Sequence, residues 1–197
     1  MGTVIKQAVY QVDVFGNQIE ADFTVSGTTT VNKYTFNGKQ VWGDLNNSNS
    51  LTFRRVYTDA VDGVFTGWNG SGNIGWYLTD HLGSVRDIEG SGQTVIDHLN
   101  FDAYGNLTQE TVPSVGDRFK YDGGALDAVT GLYHFDHRDY NPVNGRWLTQ
   151  DPIAFDAGDG NLYRYVGNAP TDGVDPSGLD ATEIGRASCR ERVCVPG

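Results

Sequence analysis

Apolar and polar positions alternate along most of the chain in short runs, and Gly, Asn or Asp breaks each run after several residues. Period-two alternation sends successive side chains to opposite faces of a strand, so the pattern predicts strands joined by tight turns. The run Ala21 to Phe36 (ADFTVSGTTTVNKYTF) is rich in Thr and Val. Asn37-Gly38, Gly105-Asn106 and Asn144-Gly145 offer the positive-φ residues that tight turns demand. Almost nothing has the period of a long amphipathic helix, and the predicted fold class is all-β.

A repeat runs inside this pattern. Val12-Asp13-Val14-Phe15-Gly16-Asn17 and Phe101-Asp102-Ala103-Tyr104-Gly105-Asn106 share one template: apolar, Asp, any residue, aromatic, Gly, Asn. Gly70-Ser71-Gly72 returns as Gly90-Ser91-Gly92, each opening into a strand-like segment. That spacing of about twenty residues fits one hairpin per repeat, with the aromatic ring on the buried face and Gly-Asn in the turn. A single hairpin buries too little to be stable, so repeats of this kind rely on stacking against neighbours and leave exposed sheet edges at their ends.

Composition narrows the possible partners. Aromatic residues make up 12% of the 197 positions, and the chain has 14 basic and 25 acidic residues. From Glu183 to Cys194 it reads EIGRASCRERVC, the spelling of one frame of a sequencing adapter. This segment is set aside as a cloning scar, with the natural chain expected to continue past Thr182. Without Arg186, Arg190, Arg192, Glu183 and Glu191 the count is 11 basic and 23 acidic residues, a net of −12. Such acidity argues against nucleic-acid partners. Both cysteines, Cys189 and Cys194, lie in the set-aside tail, so neither a disulfide framework nor a thiolate site is expected. No segment is apolar over a membrane-spanning length, and no signal-like run follows Met1.

A series of motifs then appears in fixed order: Tyr77 to Arg86 (YLTDHLGSVR), Thr130-Gly131-Leu132-Tyr133, Tyr140-Asn141-Pro142, Gly145-Arg146-Trp147-Leu148, Asp151-Pro152-Ile153, Asn161 to Pro170 (NLYRYVGNAP) and Asp175-Pro176-Ser177-Gly178-Leu179. Together they resemble the Rhs-repeat-associated core domain of Rhs and YD-repeat proteins, over roughly Arg54 to Leu179. The resemblance implies YD-repeat hairpins forming part of a spiralling β-shell around a C-terminal, often toxic, polypeptide, with the core domain as cap. It divides the chain into degenerate repeats over 1–53, the core domain over 54–179, and a disordered 180–197 that opens the C-terminal extension and holds the adapter-like tail. It also implies aspartyl autoproteolysis after Leu179, at the bond to Asp180, carried by Arg138, Asp151 and Asp175. The implied partners are the chain's own C-terminal payload and neighbouring YD repeats, the implied location is secreted or cell-surface, and no cofactor or metal is called for.

The residue types suit that chemistry. Hydrolysis by carboxylates needs one ionised group to take a proton from water and one protonated group to give a proton to the carbonyl oxygen. Two close aspartates share a proton because both cannot ionise cheaply. An arginine beside them holds one carboxylate charged or stabilises oxyanion charge. Gly178 leaves the approach to the bond open, and Pro176 stiffens the strand leading to it.

The same Asp-Pro pairs also read as plain turn formers. This leaves a rival from another class, a non-enzymatic surface or adhesion module in which DPSGL is only a terminal turn. The run His134-Phe135-Asp136-His137-Arg138-Asp139-Tyr140 departs from the family's usual tyrosine-rich sequence with two arginines. Here Asp136 stands in place of one Arg, and Asp139 adds a carboxylate able to compete for Arg138. His81 is expected as a hydrogen-bonded strand or turn residue. His134 and His137 are expected on opposite faces of one strand, a poor metal pair. Asp156, Asp159 and Asn161 form an acidic loop that fails the EF-hand pattern. Trp42, Trp68, Trp76 and Trp147 are expected in the core, in preference to a carbohydrate-binding surface.

Overall fold

The computed structural model of the chain describes residues 6–57, 64–69, 72–179 and 181–183. Ten antiparallel strands pair in sequence order into one sheet: β1 (Lys6–Val12), β2 (Gln18–Val25), β3 (Thr28–Asn37), β4 (Gln40–Asn46), β5 (Leu51–Tyr57), β6 (Val64–Asn69), β7 (Ile74–Thr79), β8 (Val85–Gly90), β9 (Val95–Phe101) and β10 (Leu107–Glu110). A four-stranded meander follows, made of β11 (Ala125–Leu126), β12 (Tyr133–Phe135), β13 (Arg138–Asn141) and β14 (Arg146–Trp147). A two-stranded ladder of β15 (Gly173–Val174) and β16 (Thr182–Glu183) closes the described chain. Helical structure among the described residues is limited to short 3-10 turns, so the expected all-β class holds.

Turn chemistry sets the hairpin register. Asp13 accepts backbone N–H bonds from Phe15 and Asn17, Asp80 from Leu82 and Ser84, and Asp102 from Tyr104 and Asn106. In each turn the fourth residue is a glycine at positive φ, namely Gly16, Gly83 and Gly105. The Asp side chain thus fixes the loop while Gly takes the left-handed conformation that other residues resist. Register shifts interrupt β1/β2, β3/β4, β4/β5, β5/β6, β7/β8, β8/β9 and β9/β10. Bulges bend a strand and add twist, which gives the long sheet a reason to coil.

One expectation fails at these turns. Phe15, the aromatic of the first repeat, is 87% exposed because it sits within the turn, beyond the sheet's buried face. Gly105 shows a second use of the template. A Cβ there would lie 2.5 Å from Cδ1 of Tyr121, whereas nothing lies within 4 Å at Gly16, although their φ values are +86° and +88°. Gly16→Ala is therefore expected to cost only backbone strain, about 1–2 kcal/mol. Gly105→Ala adds overpacking of a further 1–3 kcal/mol or so. Urea unfolding of the two variants side by side measures the difference.

Two clusters make the core, a largely aliphatic one on the sheet and an aromatic one on the meander side. Val64, Tyr77, Val85, Ile88 and Leu99 pack on the sheet, while Tyr121, Tyr133, Phe135, Tyr140, Trp147, Tyr165 and Val166 fill the meander side. Phe101 packs against both and joins them. Trp147 is buried as expected, but Trp42 and Trp68 are each more than a third exposed. Arg54 lies over the Trp42 ring at 5.4 Å, so the amphipathic indole serves the sheet surface instead of the core.

A buried ion cluster pins the sheet to the segment before the meander. Arg55 on β5 meets Asp117 at 2.6 Å and Asp44 on β4 at 2.5 Å, with the Phe53 and Phe119 rings 4.9 and 4.8 Å from its guanidinium. The two carboxylates hold the Arg55 proton more tightly than usual, outweighing burial.

Candidate active site

Arg138 opens β13 directly after the hairpin turn at Asp136 and His137, opposite Phe135 across the β12/β13 ladder. Its guanidinium lies 4.2 Å from the Trp147 ring, and only 4% of the residue is exposed. Asp151 comes from the loop after β14 and Asp175 from the residue after β15. The structure brings all three together: Arg138 Nη1 is 2.8 Å from Asp151 Oδ2, and Nη2 is 3.0 Å from Asp175 Oδ2. Both carboxylates are nearly buried, with side-chain exposures of 8% and 3%.

Each aspartate also does the turn work that the sequence allowed. Asp151 Oδ1 accepts the Ile153 N–H at 3.0 Å, and Asp175 Oδ1 accepts the Leu179 N–H at 3.0 Å. One oxygen of each carboxylate shapes its loop while the other faces the arginine, so the turn-forming and charge-pairing readings hold together. Pro176 lies in a turn, not in the expected strand: Gly178 N–H donates to the Asp175 carbonyl at 3.2 Å, and Gly178 has φ +70°. A Cβ on Gly178 would sit 3.2 Å from the Arg138 backbone nitrogen, so glycine lets the turn lie against β13.

Three contacts dock this turn. Arg138 Nε–H donates to the Gly178 carbonyl, the His137 N–H donates to the Ser177 carbonyl at 3.1 Å, and His137 Nδ1 lies 3.0 Å from that same oxygen. A cavity of about 100 Å³ is lined by Arg138, Asp151, Asp175, Arg164, Leu179 and Ala181. Leu179 and Ala181 flank Asp180, which lies outside the described residues, as do both cysteines and nearly all of the adapter-like tail.

Neither nearby carboxylate reaches Arg138. Asp139 pairs with His134 at 2.8 Å, and Asp136 is exposed in the hairpin turn. His137 lies in that turn and not in a strand with His134, which corrects the expectation of opposite faces. Asp159 grips Arg164 through both carboxylate oxygens and caps the Asn161 N–H at 2.8 Å, so its loop is shaped by an arginine. His81 is a turn residue whose Nε2 lies 3.3 Å from the Thr171 carbonyl.

Sequence reasoning missed a further buried carboxyl. Asp122, 3% exposed, receives the Ser84 hydroxyl at 2.9 Å and the Tyr165 hydroxyl, while its own N–H donates to Ser84 Oγ at 3.0 Å. Ser84 belongs to the YLTDHLGSVR motif, which is the signal in hindsight. Burial pushes the Asp122 carboxyl up to about 7 despite the Tyr165 and Ser84 hydrogen bonds, which favour the charged form. The folded chain therefore favours the proton, and this group's contribution to stability falls as pH rises from near 4 towards 7. Asp122→Asn is expected to remove that loss. Between about pH 5 and pH 8, wild type should lose about 2–3 kcal/mol more than the variant in urea unfolding.

The model of the teneurin YD-shell family matches residues 69–171. The chain belongs to that family. This YD-shell is 33% identical over 176 residues to the tRNA3(Ser)-specific nuclease WapA of Bacillus spizizenii, and 32% identical over 176 residues to the tRNA nuclease WapA of Bacillus subtilis. Each match takes in 87% of the chain but 7% of the relative, so the YD-shell spans under a tenth of those proteins. Its fold is similar to the crystal structure of TcdB2-TccC3, with TM-score 0.70 and 23% identity over 87% of this chain and 9% of that one. The Photorhabdus luminescens Tc holotoxin pore superposes at TM-score 0.71 with 22% identity, over 89% of this chain and 9% of that one. The YD-shell is thus a module of a kind carried by far longer, toxin-like proteins. Among its described residues no helix is long and apolar enough to cross a membrane.

Proposed function

We propose that this chain caps a YD-repeat shell, bounds and encapsulates a C-terminal toxin-like payload, and frees it by intramolecular aspartyl autoproteolysis after Leu179. The carrying observation is that one guanidinium holds Asp151, Asp175 and the Gly178 carbonyl, one residue before the bond to be cut. Hydrolysis by carboxylates needs one ionised as base and one protonated as acid, and two that meet on one guanidinium can divide those roles. Water adds to the Leu179 carbonyl carbon as the ionised carboxylate takes its proton. The other carboxyl gives its proton to the carbonyl oxygen. The resulting gem-diol collapses as the first carboxyl returns its proton to the departing Asp180 amine and the second takes one from a diol hydroxyl, leaving a carboxylic acid on Leu179 that ionises in water. Each molecule cuts once and within itself, so proximity supplies the effective concentration. The payload and the neighbouring repeats of a longer chain are the partners, and a secreted or cell-surface setting suits a shell of this family.

The rival, a structural surface or adhesion module, has one observation in its favour. Arg55 joins Asp44 and Asp117 in a buried arginine–aspartate cluster, which Arg118 shares at 3.5 Å from Asp44, and there the ion pairs serve as a tie between segments. The Arg138 site differs in reaching a backbone carbonyl beside the bond in question and in lining a cavity with Leu179. Intact mass of the folded chain separates the readings. Autoproteolysis yields residues 1–179 and 180–197, and the structural module stays whole.

A further inference from the structure

Two successive residues of one hairpin hold two successive carbonyls of the DPSGL turn. Phe135 and Arg138 pair across the β12/β13 ladder, so Asp136 and His137 form the two-residue turn between them. Arg138 Nε–H donates to the Gly178 carbonyl. The Ser177 carbonyl has two partners on His137, the backbone N–H at 3.1 Å and ring Nδ1 at 3.0 Å. Ser177 is in turn tied to the reacting groups. Its hydroxyl donates to Asp175 Oδ1 at 3.3 Å, and its Oγ accepts the Leu179 N–H at 3.2 Å. A shift of Ser177 therefore disturbs both an aspartate of the proposed pair and the residue whose carbonyl is attacked.

We infer that His137 is a positioning residue for the DPSGL turn, acting through an Nδ1–H that it donates to the Ser177 carbonyl. A carbonyl oxygen only accepts, so the ring nitrogen beside it carries the proton. Neutral imidazole in water holds its proton mainly on Nε2, and here the Ser177 carbonyl selects the other tautomer. The backbone N–H of residue 137 reaches the same oxygen whatever the side chain, so the imidazole adds one hydrogen bond to a carbonyl already engaged. Its loss is worth a factor of about two to ten in how well the turn is held. The ring acts on the bond after Leu179 only through Ser177, and that consequence rests on the autoproteolytic reading.

The test follows cleavage of the whole chain by intact mass in wild type, His137→Ala and His137→Asn. His137 is exposed, so neither substitution leaves a cavity in the core. Alanine removes the ring donor and is expected to slow cleavage about threefold to tenfold. Asparagine places an amide N–H where Nδ1 stands, so His137→Asn is expected to recover most of the lost rate. His137→Ala cutting at the wild-type rate, or His137→Asn as slow as His137→Ala, overturns the inference while leaving autoproteolysis intact. A wild type that does not cut sinks the autoproteolytic reading, and the ring is then judged alone by nitrogen NMR of its imidazole at mildly alkaline pH, with the His137 signals assigned by their loss in His137→Asn. A proton on Nδ1 supports the inference, and a proton on Nε2 overturns it.

Discussion

Asp175→Asn is expected to leave the chain whole, slowing cleavage after Leu179 about a thousandfold or more, the scale of losing one member of a catalytic set that acts as a unit. The amide keeps the shape of the carboxyl and can still accept the Leu179 N–H, now made at 3.0 Å to Oδ1. What it loses is the ability to carry or accept the transferred proton. Asp151→Asn should do the same, since the two carboxylates meet on one guanidinium and the proposed mechanism uses both. Time courses of intact mass read both effects. Near-UV circular dichroism of each variant separates loss of chemistry from loss of fold, and a variant that folds and still cuts at the wild-type rate removes that aspartate from the reaction.

Arg55→Met should be among the most damaging single changes in the sheet, at about 3–5 kcal/mol. Arg55 is 1% exposed and Asp117 is 8% exposed, so removing the guanidinium strands a buried carboxylate. Asp44 is affected as well. Burial tends to raise its pKa, but Arg118 and Arg55 together hold the carboxyl below its ordinary value. Arg118 remains 3.5 Å from Asp44 in the variant's starting geometry, so the larger penalty falls on Asp117. Adding Asp117→Leu to Arg55→Met should recover much of the loss, because replacing both partners by apolar groups leaves no uncompensated charge. Urea unfolding of the single and double variants gives the comparison. Equal losses in both would mean that the contact of the Arg55 guanidinium with the Phe53 and Phe119 rings, and not its ion pairs, carries the tie.

What the sequence disclosed and what it hid divide along the range of the interaction. Local rules were enough for the strands and turns, since Asp13, Asp80 and Asp102 each bond backbone groups two and four residues on. Arg138, Asp151 and Asp175 were legible through ordered motifs, and the structure puts them in contact although the last two lie 13 and 37 residues beyond the first. Spacing carried no signal for Arg55 with Asp117, which are 62 residues apart, or for Ser84 with Asp122, which are 38 apart. The exposed Trp42, Trp68 and Phe15 were misjudged because residue type alone does not say which face of a strand, or which side of a turn, a ring occupies. Asp139 looked like a competitor for Arg138 in the linear sequence. Register settles it, since Asp139 pairs with His134 across the β12/β13 ladder and the two side chains meet.

The central claim is that the folded chain cuts itself once, after Leu179, with its own aspartates. The most direct measurement is intact mass followed over time at several protein concentrations, with amide exchange or near-UV dichroism confirming the folded state. Self-processing predicts fragments 1–179 and 180–197 appearing with a first-order rate that does not change with concentration. A single species of 197 residues that persists in folded protein, or a rate that rises with concentration, would contradict it.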